Sequence, residues 1–241
     1  MRLTARQLYD RLVNEDNIFN LEGRIKFFLG DVDIVVRQKD VVGNIIQEWV
    51  RGWMDKRGVR YAPAENSQMP PDFFLNPDDH TADLLEIKAF NRNAAPGFDI
   101  ADFRTYQEEI IDKPYMLHVD YLIFGYEMDG RGTVTVKDLW LKKVWQITRR
   151  MADWPLNLQV KSGVVHKIRP GAWYGKSKYP MFQSLEHFIS AIEQTVYQNP
   201  KTRELSAQWM NRFLRAYKEH YGVSLSVERW NNVVDEYGGR E

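Results

Sequence analysis

Three residue types at telling spacing, Asp72, Glu86 and Lys88, stand in the stretch PPDFFLNPDDHTADLLEIKAF, residues 70–90. In a strand, residues two apart share a face, so Glu86 and Lys88 project together while Leu85, Ile87 and Ala89 pack behind them. If the strand bearing Asp72 runs alongside, its carboxylate meets them at one point. Two carboxylates a few ångströms apart repel, and a divalent cation relieves the repulsion. Mg2+ favours carboxylate oxygens completed by water and substrate phosphate oxygens. The backbone carbonyl of Ile87 could supply a further oxygen. An ammonium beside such a metal helps to position an attacking water and offsets charge on a phosphate. This is equipment for phosphodiester hydrolysis. The plain alternative is a surface hairpin whose Glu86 and Lys88 form an exposed ion pair of little energetic value.

The elements that must position these residues are legible from hydrophobic spacing. Residues 24–29 and 32–37 read as strands joined tightly at Gly30-Asp31. Val42, Ile45, Ile46, Trp49 and Trp53 recur at helical spacing, predicting a helix over 41–55. The turn-like NPDDHTAD between the two halves of the 70–90 stretch suits a hairpin. A loop then enters a helix near Asp99 with Ile100, Phe103, Tyr106 and Ile110 facing inward. YMLHVDYLIFGYEM and GTVTVKDLWL read as strands around a turn at Asp129-Gly130-Arg131-Gly132, KKVWQITRRM as a helix, and residues 158–169 as β-rich. Helices close the chain from Ser184 onward. Helices and strands alternate only loosely, which predicts an α/β fold with a central mixed sheet flanked by helices. No linker or internal repeat divides the 241 residues, so a single domain spanning 1–241, with a helical C-terminal part from about 184, is expected.

Composition narrows the function classes. The chain has no cysteine, which excludes disulfides, thiolate zinc sites and cysteine nucleophiles together. No apolar run is long enough to span a bilayer, and the N-terminal MRLTARQLYDRLVNED turns polar too soon for a secretory signal, so a cytoplasmic protein with no membrane contact is expected. The formal net charge is zero, but the charges are segregated. Residues 65–129 hold fourteen Asp or Glu against four Lys or Arg, and residues 137–180 hold ten Lys or Arg against two Asp. Carboxylates to hold cations beside cations to hold phosphates is what a metal-dependent enzyme acting on a polyanion needs. The competing account is that the two blocks neutralise one another in the fold.

Pro71-Asp72, thirteen residues and then Glu86-Ile87-Lys88 resembles the PD-(D/E)XK nuclease motif, whose superfamily includes many type II restriction endonucleases. FLGDVDIVV, PPDFFL, LLEIKAFNRNAAPGFDIADF, DYLIFGYEM and VKDLWLKKVWQI are also similar to segments of the blunt-cutting restriction enzymes that read GGNNCC, over roughly Gly23 to Trp173. The resemblance implies a restriction-endonuclease-like fold, Asp72 and Glu86 as metal ligands, Lys88 as the partner that positions water, and Mg2+ as cofactor. It also implies an acid on the preceding helix. Glu48 is the candidate, with Gln47 as the competing occupant and a solvent-facing ion pair as the bland role for Glu48. Asp83 shares the Glu86 and Lys88 face by alternation, although a turn at the strand start accounts for it better.

Two regions are candidates for contact with double-stranded DNA. KSGVVHKIRPGAWYGKSKY interleaves Lys161, Lys167, Arg169, Lys176 and Lys178 with Trp173 and Tyr174 in a loop-rich setting. Phosphate contact or plain solvation competes there with base reading. Asn91, Arg92 and Asn93 leave the candidate catalytic strand directly after Lys88 and suit backbone contact, unless they are only a connector. The five histidines show no pair at metal-ligand spacing, and structural roles are expected for them. The expected protein is a Mg2+-dependent nuclease working as a homodimer, because two-fold symmetry matches a palindrome and supplies one active site per strand. A structure-specific repair or junction nuclease, and a non-catalytic DNA-binding module, are the rivals.

Overall fold

The computed structural model describes residues 1–64 and 69–239. Its first half runs α1 (Ala5–Asn14), β1 (Glu22–Arg24), β2 (Lys26–Leu29), β3 (Val32–Val35), α2 (Val42–Lys56), β4 (Ala62–Pro63), β5 (Phe73–Phe74) and β6 (Leu84–Asn91). Then come β7 (Ala101–Asp102), α3 (Phe103–Asp112), β8 (Asp120–Met128), β9 (Thr133–Lys142), α4 (Val144–Ile147), β10 (Leu158–Lys161) and β11 (Val164–Ile168). Helices α5 (Leu185–Gln198), α6 (Ser206–Tyr221) and α7 (Trp230–Val233) follow. The described residues form two compact units, one holding 1–64, 71–98 and 120–142, the other 69–70, 99–119 and 143–239.

The first unit is built on a six-stranded sheet in the order β1-β9-β8-β6-β5-β4. β6 and β8 run parallel, with Glu86 opposite Tyr121 and Lys88 opposite Ile123, and the other pairs are antiparallel. The mixed sheet with flanking helices that the sequence predicts is what forms. Thr4 caps α1, accepting from the Gln7 amide while Gln7 Oε1 accepts from the Thr4 amide. Leu8 and Leu12 of α1 and Ile46, Val50 and Met54 of α2 share one core with Phe73, Leu85, Ile87, Leu122 and Phe124 of the sheet. Leu85 and Ile87 enter that core, so alternation sends Glu86 and Lys88 to the opposite face of β6. β4 closes the sheet with Pro63, which lacks an amide hydrogen.

Two expectations are corrected in detail. The buried stripe of α2 is Val42, Ile46, Val50, Trp53 and Met54, whereas Ile45 and Trp49 lie at its margin and are 42% and 40% exposed. KKVWQITRRM yields only the single turn α4. Ile147 O accepts from the Gly171 amide, Thr148 O from the Phe182 amide, and Arg149 bridges Met181, so distant backbone takes the bonds a longer helix would need.

The second unit joins the three-stranded sheet β10-β11-β7 to α3 and the C-terminal helices. Ile100, Phe103, Tyr106 and Ile110 are buried as the spacing predicts. Asp102 caps α3 and Ser184 caps α5, each side chain accepting an amide of its first turn. Trp209 of α6 is fully buried, and its Nε1 donates to Gln107 O at 3.0 Å.

Gly125, at the irregularity of the β8 and β9 pairing, has no room for a side chain. A Cβ there would lie 2.6 Å from Arg92 Cδ and 3.0 Å from the Trp140 ring. Gly125→Ala is expected to destabilise the protein by about 1–3 kcal/mol through overpacking, measured as a lowered denaturant midpoint at unchanged slope.

Candidate active site

β5 and β6 bring the two halves of the motif together. The Asp72 amide donates to Leu85 O at 3.0 Å, and Phe73 and Phe74 pair with Leu85 and Leu84. That register sets Asp72 beside the start of β6, where its Oδ2 accepts from the Ile87 amide at 2.7 Å. Lys88 Nζ lies 2.7 Å from Glu86 Oε1. The pair is not the exposed one of a surface hairpin, for the Glu86 side chain is only 6% exposed and that of Lys88 22%.

α2 presents Gln47 to the cluster. Gln47 Nε2 donates to Asp72 Oδ1 at 2.7 Å, so both Asp72 oxygens accept hydrogen bonds. Glu48 instead pairs with Arg51 Nη1 at 3.4 Å, with its side chain 60% exposed. Of the two candidates on α2, the amide Gln47 rather than the acid Glu48 touches Asp72. Arg51 was not singled out in the sequence. It follows Gln47 by four residues on one helix face, and its charge acts on Asp72. That i, i+4 spacing is the signal by which it could have been found. Asp83 occupies a turn at φ 52° and pairs with Arg2 at 2.5 Å.

Burial dominates the electrostatics. It pushes the Glu86 carboxyl up to about 7, with Asp72 adding to the rise and Lys88 opposing it. Asp72 is also raised by burial, against the pull of the Ile87 amide, Lys88, Arg51 and Gln47. Glu86 Oε2 is buried with no hydrogen-bond partner among the described residues. An orphaned buried carboxylate oxygen beside a second carboxylate is costly unless something charged or polar meets it.

Among the described residues no group of three or more His, Cys, Asp or Glu side chains could hold a metal ion. Two carboxylates suffice for Mg2+, which is commonly held by one or two of them and completed by water and phosphate oxygens. The donor set of Asp72, Glu86 and the Ile87 carbonyl fits that preference, and the orphaned oxygen of Glu86 is the observation that favours it.

The expected DNA contacts divide. Arg92 Nε pairs with Asp138 at 2.5 Å, and its guanidinium lies over Trp140 at 5.5 Å. Asn91 Oδ1 accepts from the Asn93 amide at 2.9 Å, forming a turn that leaves Asn93 exposed. In the second unit, Lys167 stands 3.8 Å from Asp102 and Arg169 3.1 Å from Asp99. Arg92, Lys167 and Arg169 thus follow the account in which acidic and basic blocks neutralise one another. Lys161, near the tip of the β10–β11 hairpin, and Lys176 and Lys178 are exposed, while Trp173 meets Tyr174 edge to face at 5.4 Å.

A buried and a half-buried carboxylate with an amine beside them in a mixed sheet define a nuclease of the PD-(D/E)XK class, as the motif resemblance implies. Comparison with known proteins narrows the class. The chain belongs to the NgoBV restriction endonuclease family, whose model matches residues 2–237, and is a type II restriction endonuclease, a site-specific deoxyribonuclease. It is 62% identical to the type II restriction enzyme NlaIV of Neisseria lactamica over 239 residues, 98% of each chain. It is 56% identical to the type II restriction enzyme NgoBV of Neisseria gonorrhoeae over 161 residues, covering 67% of this chain and 91% of that one. A solved structure, NlaIV restriction endonuclease, superposes with a TM-score of 0.96 at 62% identity, over 99% of this chain and 98% of that one. Among the described residues no helix is long and apolar enough to cross a membrane.

The raised Glu86 carboxyl has a consequence for stability. The folded state keeps this proton up to about pH 7, whereas the unfolded chain releases it near 4.5, so stability falls as pH rises between those values. With metal removed by chelation, the stability of Glu86→Gln relative to the parent should improve by on the order of 2 kcal/mol from pH 5 to pH 8. Denaturant unfolding of both proteins across that range reads the difference.

Proposed function

We propose that Asp72, Glu86 and Lys88 are the catalytic cluster of this endonuclease, and that it hydrolyses double-stranded DNA with Mg2+ held by Asp72, Glu86 and the Ile87 carbonyl. The observation that carries the reading is the buried, orphaned Glu86 oxygen beside Asp72, with an ammonium 2.7 Å from its other oxygen. With both carboxyls ionised, the two anions and one cation leave a net negative charge that suits a divalent ion. The bound ion would neutralise charge on the scissile phosphate and lower the pKa of an attacking water.

This chain's own residues supply the rest. The Ile87 amide and Gln47 each donate to one oxygen of Asp72 and so hold its carboxylate in one orientation. Lys88, anchored on Glu86, offers ammonium protons to the attacking water and to the phosphate oxygens, where negative charge accumulates. The apolar packing of Leu85 and Ile87 fixes the strand from behind.

The recognition site is read as GGNNCC with blunt cleavage, on the similarity of the five segments spanning Gly23 to Trp173. A palindrome calls for a homodimer, and an N-terminus that turns polar too soon for a secretory signal is in keeping with action in the cytoplasm. Lys161, Lys176 and Lys178 are exposed cations suited to phosphates.

Plasmid of known sequence incubated with protein and Mg2+ should yield discrete fragments mapping to GGNNCC, and chelation should abolish them. Random nicking would overturn the site-specific reading. In the same assay Lys88→Ala is expected to lose at least about 100-fold in kcat. Gln47→Ala should lose about 10–100-fold, while Glu48→Ala stays within about threefold because its pair with Arg51 is exposed. Equal losses at positions 47 and 48 would contradict the assigned roles.

A further inference from the structure

Lys167 and Arg169 of the second unit are half-buried, and each meets a carboxylate. Arg149 and Arg150 are half-buried too, yet among the described residues they form no ion pair. Both guanidinium groups lie over the ring of Tyr179, 5.8 and 5.2 Å from its centre, and Lys178 Nζ lies 5.6 Å from the same ring. Three cations thus gather about one tyrosine. The segment that carries the tyrosine, residues 154–185, contains no Asp or Glu.

The surrounding backbone holds these side chains in place. Arg149 Nη1 donates to Arg150 O at 2.8 Å, and Arg150 Nε and Nη2 donate to Met151 O and Ala152 O at 3.2 Å each. Those bonds fix both guanidinium planes. The stem of Arg149 passes Gly171, where an added Cβ would lie 2.9 Å from Arg149 Cδ and 2.7 Å from Met181 Cε. Glycine leaves that passage open. Arg149 Nε is buried with no hydrogen-bond partner among the described residues. Burial pushes this guanidinium below its ordinary value, with Tyr179 opposing. A half-buried charge without a counter-ion is unfavourable, and an aromatic ring offsets the cost only in part. An anion brought from outside would complete the cluster.

We propose that Arg149, Arg150 and Lys178, gathered on Tyr179, clamp adjoining backbone phosphates of one strand of the DNA duplex. The clamp rests on the reading of this chain as a nuclease of double-stranded DNA. A duplex presents one negative charge per about 1.7 Å of its axis, and guanidinium groups meet phosphate oxygens with paired donors. A guanine edge takes a single guanidinium in its own plane, so three cations spread about one ring suit phosphates better than a base. The cluster therefore fixes the position of the duplex and carries no sequence information of its own.

Fluorescence anisotropy of two labelled duplexes, one containing GGNNCC and one without it, tests this in chelator across about 50–200 mM salt. The slope of log affinity against log salt should fall by about 1 in Arg149→Gln and by about 1–2 in Arg150→Gln/Lys178→Gln. The loss should be equal on both duplexes, with circular dichroism unchanged, and Arg150→Lys, which keeps the charge, should retain most of the slope. If Arg149→Gln does not fold, the pair variant decides alone, since Lys178 is exposed and Arg150 only half-buried. With Mg2+ and enzyme below saturation, the pair variant should cut plasmid at least about tenfold more slowly while keeping the parental fragment pattern. An unchanged slope in the folded pair variant overturns the clamp, as does a parent that binds neither duplex. Cuts at additional sequences also overturn it, because they assign the cluster to base reading. A parent that leaves plasmid uncut while the slopes fall as expected overturns the cleavage reading alone. One that cuts at GGNNCC while the variants keep its slope overturns the clamp alone.

Discussion

The candidate site depends on how the Asp72 carboxylate is held. One oxygen takes the Ile87 amide and the other takes the Gln47 amide, so a single side chain ties β5, β6 and α2 together. Removing two carboxylates from water at adjoining positions is unfavourable, and burial raises both groups against the opposing pull of Lys88. A fold selected for stability alone would place apolar residues there. The cluster persists because neighbouring structure bears that cost. Leu85 and Ile87 are locked in the core behind it, Phe73 is fully buried beside it, and β6 is held along its length by β8.

Much of this frame was legible in the sequence because it follows local periodicity. Leu85 and Ile87 alternate with Glu86 and Lys88, so one face of β6 had to be apolar and the other polar. The Gly30-Asp31 turn marked the β2–β3 hairpin, and the stripe from Val42 to Trp53 marked α2. What was not legible depends on contacts far apart in the chain. Gln47 and Glu48 both flank the buried stripe, and periodicity ranks neither; the position of Asp72, 25 residues away, selects the amide. The short α4 is set in the same way, by backbone bonds from Gly171 and Phe182.

The basic residues illustrate a second limit. Composition identified a cationic half and an acidic centre, but a count of charges does not say which ones meet. Arg92 is taken by Asp138 and stacked on Trp140, Arg169 is taken by Asp99, and Lys167 approaches Asp102, while Lys161, Lys176 and Lys178 remain exposed. Segregation along the chain thus has two results at once: internal neutralisation for some side chains and an outward field from others.

Pro63 in the terminal strand β4 carries a separate implication for solution behaviour. A strand at the rim of a sheet invites another chain to continue the ladder, and fibrous aggregates grow by that route. A pyrrolidine ring withholds one donor from a strand only two residues long, so that rim is a poor template for edgewise growth. At high concentration the protein is thereby protected against stacking from this side, without any charged residue in the strand.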